Sequence, residues 1–185
     1  MASHDGEVTR WSNAIFSGMP TYQMAPSYSA TKTVSGLASA FGLWTDKFFP
    51  AISYLFLYLL GFYVLLRAFN FKPYLAALGS VIWAFSSYFL IIIAAGHIWK
   101  VMTLAFIPPT IGGLVLCYRR KYLLGGAVTA LFTAFQVVSN HLQMTYYFLF
   151  VILFIAGAYF EDAWRNKTLP RFFKASAVLL VAALI

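Results

Sequence analysis

Charged side chains and cysteines are scarce in this sequence. Asp, Glu, Lys and Arg make up 10% of its 185 residues, whereas soluble domains carry about 25% charged residues. The single cysteine, Cys117, excludes an intramolecular disulfide and gives no information on the redox compartment. The sequence also begins without the basic head and apolar run of a signal peptide. A chain with so little charge is not an ordinary soluble domain.

Apolar and aromatic residues are abundant instead, at 62% and 19% of the chain. Because a bilayer-crossing helix needs about 20 apolar residues, we predict an all-α fold, a polytopic membrane bundle of about five complete spans plus a truncated sixth. The predicted spans are 48–68, 74–95, 101–117, 122–139, 142–160 and 172–185. Since the last run is still apolar at Ile185, the chain is interpreted as an amino-proximal fragment of a longer protein.

The basic residues divide unevenly between the two sets of loops that these spans create. Of the 13 Lys and Arg, nine fall on one side and four on the other. The nine are Arg67, Lys72, Arg119, Arg120, Lys121, Arg165, Lys167, Arg171 and Lys174, and the four are Arg10, Lys32, Lys47 and Lys100. Cytoplasmic loops carry the excess of Lys and Arg, so the nine are expected to face the cytoplasm and its anionic leaflet. The net charge of +8 then requires no nucleic-acid partner.

The opposite, outer face receives residues 1–47, which form the predicted extracytoplasmic segment. All three histidines, His4, His97 and His141, fall on this side. Segment 1–47 has few charges and many aromatic, Gly, Pro, Ser and Thr residues, a composition that favours a partly helical segment lying on the membrane surface. The distribution of histidines predicts that the chemistry of the protein is at the outer face.

The stretch Gly96 to Lys100, GHIWK, places two polar side chains between apolar runs. His97 and Lys100 are three residues apart and would share one face of a helix. Snorkelling explains Lys100, and interfacial anchoring explains Trp99. His97 is not explained in this way, and a histidine can donate, accept or titrate. His97 is therefore a candidate functional residue.

A second polar cluster lies at the turn between the fourth and fifth predicted spans. Asn140, His141 and Gln143 supply amide and imidazole groups suited to hydrogen-bonding sugar hydroxyls or phosphates. Along the fourth span, Thr129, Thr133 and Gln136 repeat at helical spacing, and Asn140 continues this polar stripe four residues later. Such a stripe faces the bundle interior, where it either holds helices together or lines a path.

The third span contains Pro108-Pro109, which predicts a kinked or broken helix. A broken span can mark a water-filled cavity, although prolines in membrane helices also serve packing alone. A re-entrant loop is a further alternative, but it would place Arg119, Arg120 and Lys121 outside and spoil the charge pattern.

Three stretches resemble the large YfhO-like membrane proteins of bacteria. They are WSNAIFSGMPTYQ from Trp11, AAGHIWKVMTLAFIPP from Ala94 and SNHLQMTYY from Ser139. The resemblance covers nearly the whole chain. It implies a multi-spanning glycosyltransferase of the GT-C type in the bacterial cytoplasmic membrane. Such an enzyme transfers a sugar from a polyprenyl-phosphate donor to a cell-envelope acceptor at the outer face.

The resemblance also implies a mechanism and a set of site residues. An acceptor hydroxyl would attack the anomeric carbon, with a carboxylate as base and a cation or donor near the lipid phosphate. The base would be Asp5 or Glu7, or a carboxylate upstream of residue 1, and His97 would donate or carry a proton. The residues expected to bind substrate are Lys100, Asn140, His141, Gln143, Trp11, Asn13, Tyr22 and Gln23.

Other interpretations remain open at this point. Asp5 and Glu7 are spaced so that they could bind a divalent cation, the one cofactor considered, but a solvated terminus is the simpler explanation for them. A broken span with intramembrane polar groups also fits a transporter or lipid-handling protein. A third interpretation is a scaffold in a complex. The expected partners are the lipid-linked sugar, membrane lipids and the remainder of the same chain, without which the fragment is expected to be inactive.

Overall fold

The computed structural model of the chain describes residues 3–4, 7–8, 11–12, 18–20, 36, 50–139 and 141–184. Near the amino end, β1 (Ser3–His4) pairs antiparallel with β2 (Glu7–Val8), and β3 (Trp11–Ser12) pairs antiparallel with β4 (Met19–Pro20). The helices from residue 50 onward are α1 (Pro50–Ala68), α2 (Pro73–Ala84), α3 (Ser87–Ala94), α4 (Ile98–Tyr118), α5 (Tyr122–Val138), α6 (Leu142–Arg165) and α7 (Leu169–Leu184).

The number of membrane-spanning helices is smaller than the sequence predicts. In the described part of the chain, α1, α4 and α6 are long and apolar enough to cross a membrane, and α2 with α3 makes a fourth if the pair counts as one span. Helix α5 has 17 residues and α7 has 16, with Arg171 and Lys174 near the start of α7. Both are shorter than the roughly 20 apolar residues of a full crossing. A helical protein with three to four candidate spans is confirmed, and the count of five complete spans is not.

The predicted span 74–95 is not one straight helix. Helices α2 and α3 meet at a 47° bend. Ser86, between them, has an extended backbone with ψ of 143°, so the helical hydrogen-bond ladder stops there and restarts at Ser87. Serine competes for backbone hydrogen bonds and favours helix starts over helix interiors. The break that the sequence predicted for the third span is therefore found in the second.

Helix α4 is continuous through Pro108 and Pro109, which corrects the expectation of a broken third span. Pro109 has no N–H to donate to the carbonyl of Ala105, four residues earlier. Gly61 of α1 lies directly against that carbonyl, because a Cβ at position 61 would be 2.6 Å from the Ala105 oxygen. The two prolines thus accompany a close approach of two helices. Helix α4 forms the centre of the bundle, and 78% of the residues in its apolar stretch are buried.

The directions of the helices follow from their contacts with α4. From the middle of α1, the Tyr58 hydroxyl donates to the carbonyl of Val101, near the start of α4, at 3.0 Å. Near the ends of both helices, the Arg119 guanidinium donates to the carbonyl of Ala68 at 2.7 Å. Helices α1 and α4 therefore run parallel. Helix α5 returns antiparallel to α4, with Gly125 packed against the backbone of Cys117.

All nine basic residues of the cytoplasmic set lie at one end of this bundle, which we call the basic end. Arg119 joins the ends of α4 and α1 there, and the Tyr118 ring stacks on Phe172 of α7 at 5.3 Å. Lys174 lies over the Tyr122 ring at 5.0 Å. The opposite end, where α4 and α6 begin and α5 finishes, is called the histidine end after His97 and His141.

Candidate functional site

His97 and Lys100 lie at the histidine end, in the first residues of α4. His97 precedes the helix and is exposed, and its carbonyl accepts from the Val101 amide at 2.9 Å. Gly96 before it has φ of +74°, the left-handed conformation that turns the chain into α4. Lys100 is half-buried, with its Nζ 5.5 Å from the centre of the Tyr88 ring. This is a cation–π contact, so α3 positions Lys100.

His141 and Gln143 lie at the same end and make contacts within their own helix. The Nδ1 of His141 accepts from the Met144 amide at 3.4 Å, which caps the start of α6. Gln143 is exposed and its amide donates to the Tyr147 hydroxyl at 3.2 Å. Among the described residues, no hydrogen bond or ion pair joins His141 or Gln143 to the start of α4. The structure places the two predicted clusters at one end without direct contact.

The amino-terminal candidates are only partly described. Trp11 of β3 is exposed and its indole lies over Gly18, where a Cβ would come within 2.6 Å of the indole nitrogen. Glu7 lies in β2, opposite His4. The predicted residues Asp5, Asn13, Tyr22, Gln23 and Asn140 lie outside the described residues.

A cavity of about 730 Å³ lies between α4, α5, α6 and α7. Its lining is mostly apolar and runs from Tyr146, near the histidine end, to Tyr118 and Phe172 at the basic end. Neither His97 nor Lys100 lines this cavity. Pockets for small ligands typically have volumes of about 300–1,000 Å³ with mostly apolar walls and few polar groups. The cavity is therefore large enough for a substantial apolar ligand.

The polar stripe of α5 faces this cavity. Thr129, Thr133 and Gln136 all line it. Gln136 is 2% exposed and Thr129 is 6% exposed. The amide nitrogen of Gln136 and the hydroxyl of Thr129 have no hydrogen-bond partner among the described residues. Buried polar groups are rarely left unpaired, so these two donors are candidates for contact with a ligand in the cavity.

Other buried hydroxyls of the same helices are satisfied. The Thr110 hydroxyl donates to the Phe106 carbonyl at 2.8 Å, and the Ser139 hydroxyl donates to the Phe135 carbonyl at 2.8 Å. A threonine at position 129 could bond in the same way to the carbonyl four residues earlier, but no such bond is formed. Of the three buried donors without a partner among the described residues, Gln136 and Thr129 line the cavity, and the Trp83 indole nitrogen does not.

These two residues were not among the predicted site residues, although the helical spacing of the stripe was recognised. Spacing alone does not distinguish a stripe that binds a neighbouring helix from one that lines a cavity. The distinction depends on how far α6 lies from α5, which is a tertiary property. Within the described residues no group of three or more His, Cys, Asp or Glu could hold a metal ion.

Comparison with protein-family models, with curated proteins and with solved structures finds no match to the chain. The resemblance to YfhO-like proteins therefore rests on the three sequence stretches given above. The site has to be interpreted from its own geometry.

Proposed function

We propose that this chain is part of a membrane glycosyltransferase that uses a polyprenyl-phosphate-linked sugar, and that the α4–α7 cavity holds the polyprenyl chain. The observation that carries the proposal is the elongated apolar cavity with unpaired Gln136 and Thr129 donors in its wall. Burial of a hydrocarbon chain stabilises a complex by about 0.8 kcal/mol per CH₂. The sugar-transfer part of the proposal is supported by the resemblance.

The polar head of such a lipid would lie toward the histidine end. Gln136 is seven residues beyond Thr129 on α5 and lies nearer to that end, a difference of about 10 Å along the helix axis. The Gln136 amide is a hydrogen-bond donor, which matches the acceptor oxygens of a phosphate or sugar. Lys100 and His97 would then provide positive charge and a proton donor near the departing phosphate.

The general base in this proposal is Asp5 or Glu7. The acidic side chains described by the structure, Glu161 and Asp162, are at the basic end of α6, away from the histidine end. A base for the acceptor hydroxyl must lie within hydrogen-bond reach of it. The amino-terminal segment, which precedes α1 at the histidine end, is where such a carboxylate would be supplied.

We further propose that the basic end faces the cytoplasm and that α5 and α7 cross the membrane with the longer helices. The excess of Lys and Arg at that end supports the orientation. Helix α5 lies antiparallel along α4, and its Gly126 packs against Val178 of α7. Short helices of this kind can be accommodated in a bilayer by local thinning and snorkelling.

Photo-crosslinking tests the lipid part of the proposal. A polyprenyl phosphate carrying a photoreactive group on its chain should label the cavity-facing positions Phe148 and Ile152 of α6. Excess unlabelled polyprenyl phosphate should suppress the labelling, and phosphatidylglycerol should not. Labelling that is spread evenly over α6, including the exposed Phe154, would contradict a chain held in the cavity.

Sugar transfer tests the catalytic part separately. In the full-length protein, His97→Ala and Lys100→Ala are expected to reduce transfer at least about a hundredfold, the range for loss of a catalytic acid or of a charge-stabilising group. The matched control is Lys121→Ala, which removes an exposed lysine from the basic end. Activity close to wild type in both variants would remove His97 and Lys100 from the reaction.

The alternative function is a transporter or lipid-handling protein, and the bend between α2 and α3 favours it. Bent or discontinuous spans are common at transport sites. In that case polyprenyl phosphate would still label the cavity, but no sugar transfer would be detected in the full-length protein. The two experiments together distinguish the enzyme from the transporter.

A further inference from the structure

A second, smaller cavity lies at the basic end and is lined by polar and charged side chains. Its volume is about 240 Å³, and it lies between the end of α4, the end of α6 and the start of α7. Arg120, from the α4–α5 turn, and Arg171, from the first turn of α7, contribute to its lining together with Asn166 and Thr168. The proposed sugar-transfer reaction does not use this cavity, which we call the arginine pocket.

The two arginines of the pocket have side chains without a protein partner. The guanidinium of Arg67 donates to the Phe71 carbonyl, that of Arg119 donates to the Ala68 carbonyl, and that of Arg165 pairs with Glu161. In the described part of the chain, Arg120 and Arg171 make no side-chain hydrogen bond or ion pair. Guanidinium groups bind carboxylates and phosphates through paired N–H donors. Two that are free and enter one cavity suggest an anionic ligand.

The remaining polar lining is compatible with such a ligand. Asp162 also lines the pocket, so the charged side chains of the lining sum to +1 from two arginines and one aspartate. The Asp162 carboxylate accepts from the Asn166 amide at 2.9 Å, which occupies one of its oxygens. Thr168 precedes α7, and the first amides of a helix favour an anion nearby.

One wall of the pocket is aromatic and leads toward the apolar cavity. The Tyr118 ring stacks on Tyr159 at 4.5 Å and on Phe172 at 5.3 Å. Tyr118 and Phe172 line both the arginine pocket and the 730 Å³ cavity. Aromatic side chains are typical of the membrane interface, where lipid head groups meet acyl chains. A ligand in this pocket would touch charge on one side and apolar rings on the other.

We propose that the arginine pocket binds the phosphate group of an anionic phospholipid, with Arg120 and Arg171 as paired donors and the Tyr118–Phe172 wall against the glycerol and the first acyl carbons. Basic pockets between helices on the cytoplasmic side are suited to anionic head groups. Arg120 comes from the α4–α5 turn and Arg171 from the first turn of α7, so the lipid would add a contact between two helix pairs that already meet through the Tyr118 and Phe172 rings. This site is independent of the polyprenyl-phosphate proposal.

Native mass spectrometry of the chain from nanodiscs tests this directly. Nanodiscs of phosphatidylcholine with phosphatidylglycerol should yield a species that retains one phosphatidylglycerol. In the double variant Arg120→Gln/Arg171→Gln, its dissociation constant should rise about ten- to thirtyfold, as expected for the loss of two cationic contacts. The matched control Lys72→Gln/Lys121→Gln also removes two exposed positive charges from the basic end, but neither lysine lines the pocket.

Each outcome decides the proposal. A large loss of phosphatidylglycerol affinity in the arginine variant, with a change of affinity below twofold in the lysine variant, supports a specific binding site. Equal loss in both variants would show binding by diffuse surface charge and would overturn it. If inorganic phosphate at millimolar concentration displaces phosphatidylglycerol and protects the protein from thermal unfolding equally well, the ligand is a free phosphate and the lipid assignment fails. Unchanged retention of phosphatidylcholine in the variants verifies that they are folded.

Discussion

The contrast between Gln136 and Gln143 shows how little residue type alone reveals about a binding role. Gln143 belongs to the polar turn that the sequence predicts to bind substrate, yet it is exposed and hydrogen-bonded to Tyr147 in its own helix. Gln136 is the last residue of the α5 stripe considered above, and it is buried with an unpaired amide facing a cavity. The energetic cost of an unpaired buried donor makes Gln136 the stronger candidate for ligand contact.

Replacing Gln136 by leucine separates stability from binding. Gln136→Leu removes an unsatisfied donor while keeping the volume, so the ligand-free protein should gain about 1–3 kcal/mol of stability. The same change should weaken polyprenyl-phosphate binding, because the head group loses a donor. Thermal unfolding in detergent and lipid binding by native mass spectrometry measure the two effects.

The comparison variant is Gln143→Leu, which is exposed and should change both quantities little. A destabilised Gln136→Leu protein would show that the amide has a protein partner, contrary to the contacts described here. An unchanged affinity would remove Gln136 from the lipid site.

At the scale of helices, the tightest contact is the one between α4 and α5. A Cβ at Gly113 would lie 2.7 Å from the Thr129 amide nitrogen and 2.9 Å from the Gly125 carbonyl. A Cβ at Gly125 would lie 2.7 Å from the Gly113 carbonyl. Small residues at such crossings let the backbones of membrane helices approach. The two helices are joined through backbone contact at these glycines.

Substitution of Gly113 by alanine tests this contact. A Cβ at position 113 would meet the Thr129 hydroxyl oxygen at 2.5 Å as well as these two backbone atoms. Because the backbone atoms cannot move aside easily, Gly113→Ala should lower the free energy of unfolding by about 1–3 kcal/mol. Gly157→Ala is the control, since nothing lies within 4 Å of a Cβ at that position of α6. That change should be neutral or stabilising by up to about 1 kcal/mol through helix propensity. Equal effects of the two substitutions in thermal unfolding would contradict the close crossing.

The helices also show which features sequence could and could not predict. Apolar runs predicted a helical chain from residue 50 onward, but the single predicted span 74–95 is two helices, α2 and α3. The break predicted at the prolines of α4 is absent, because Gly61 of α1 accommodates the carbonyl that Pro109 leaves free. The bend at Ser86 was missed, since a single serine in an apolar run does not by itself distinguish a break from a continuous helix. Such effects depend on neighbouring helices, and a single-sequence pattern does not contain them.

For the whole molecule, charge was the most informative property of the sequence. The nine basic residues sorted by loop lie at one end of the bundle, as the contacts of Arg119, Tyr118 and Lys174 show. The position of these nine residues at one end could be predicted because successive apolar runs long enough to cross a membrane reverse the direction of the chain. The cavity between α6 and its neighbours could not be predicted from the sequence, because its size depends on the distances between the packed helices.

Cysteine labelling tests the orientation that this charge distribution suggests. A membrane-impermeant maleimide added from outside intact cells should label Gln143→Cys at the histidine end and should not label Lys121→Cys at the basic end. Both positions are exposed, and the native Cys117 is buried and should not react. The reverse labelling pattern would invert the topology and place the proposed sugar-transfer site in the cytoplasm.

The walls of the large cavity differ in how firmly they are held. Helices α4 and α5 meet at the Gly113–Gly125 contact. In α6, by contrast, only 6% of the residues in its apolar stretch are buried. The α4–α5 wall is therefore held by close backbone contact, whereas few residues of the α6 wall are buried. For the proposed lipid ligand, we expect a longer or bulkier hydrocarbon chain to be accommodated by outward displacement of α6 rather than by repacking of the core. The proposal then predicts tolerance of chain length, with Gln136 on the closely packed wall as the fixed contact.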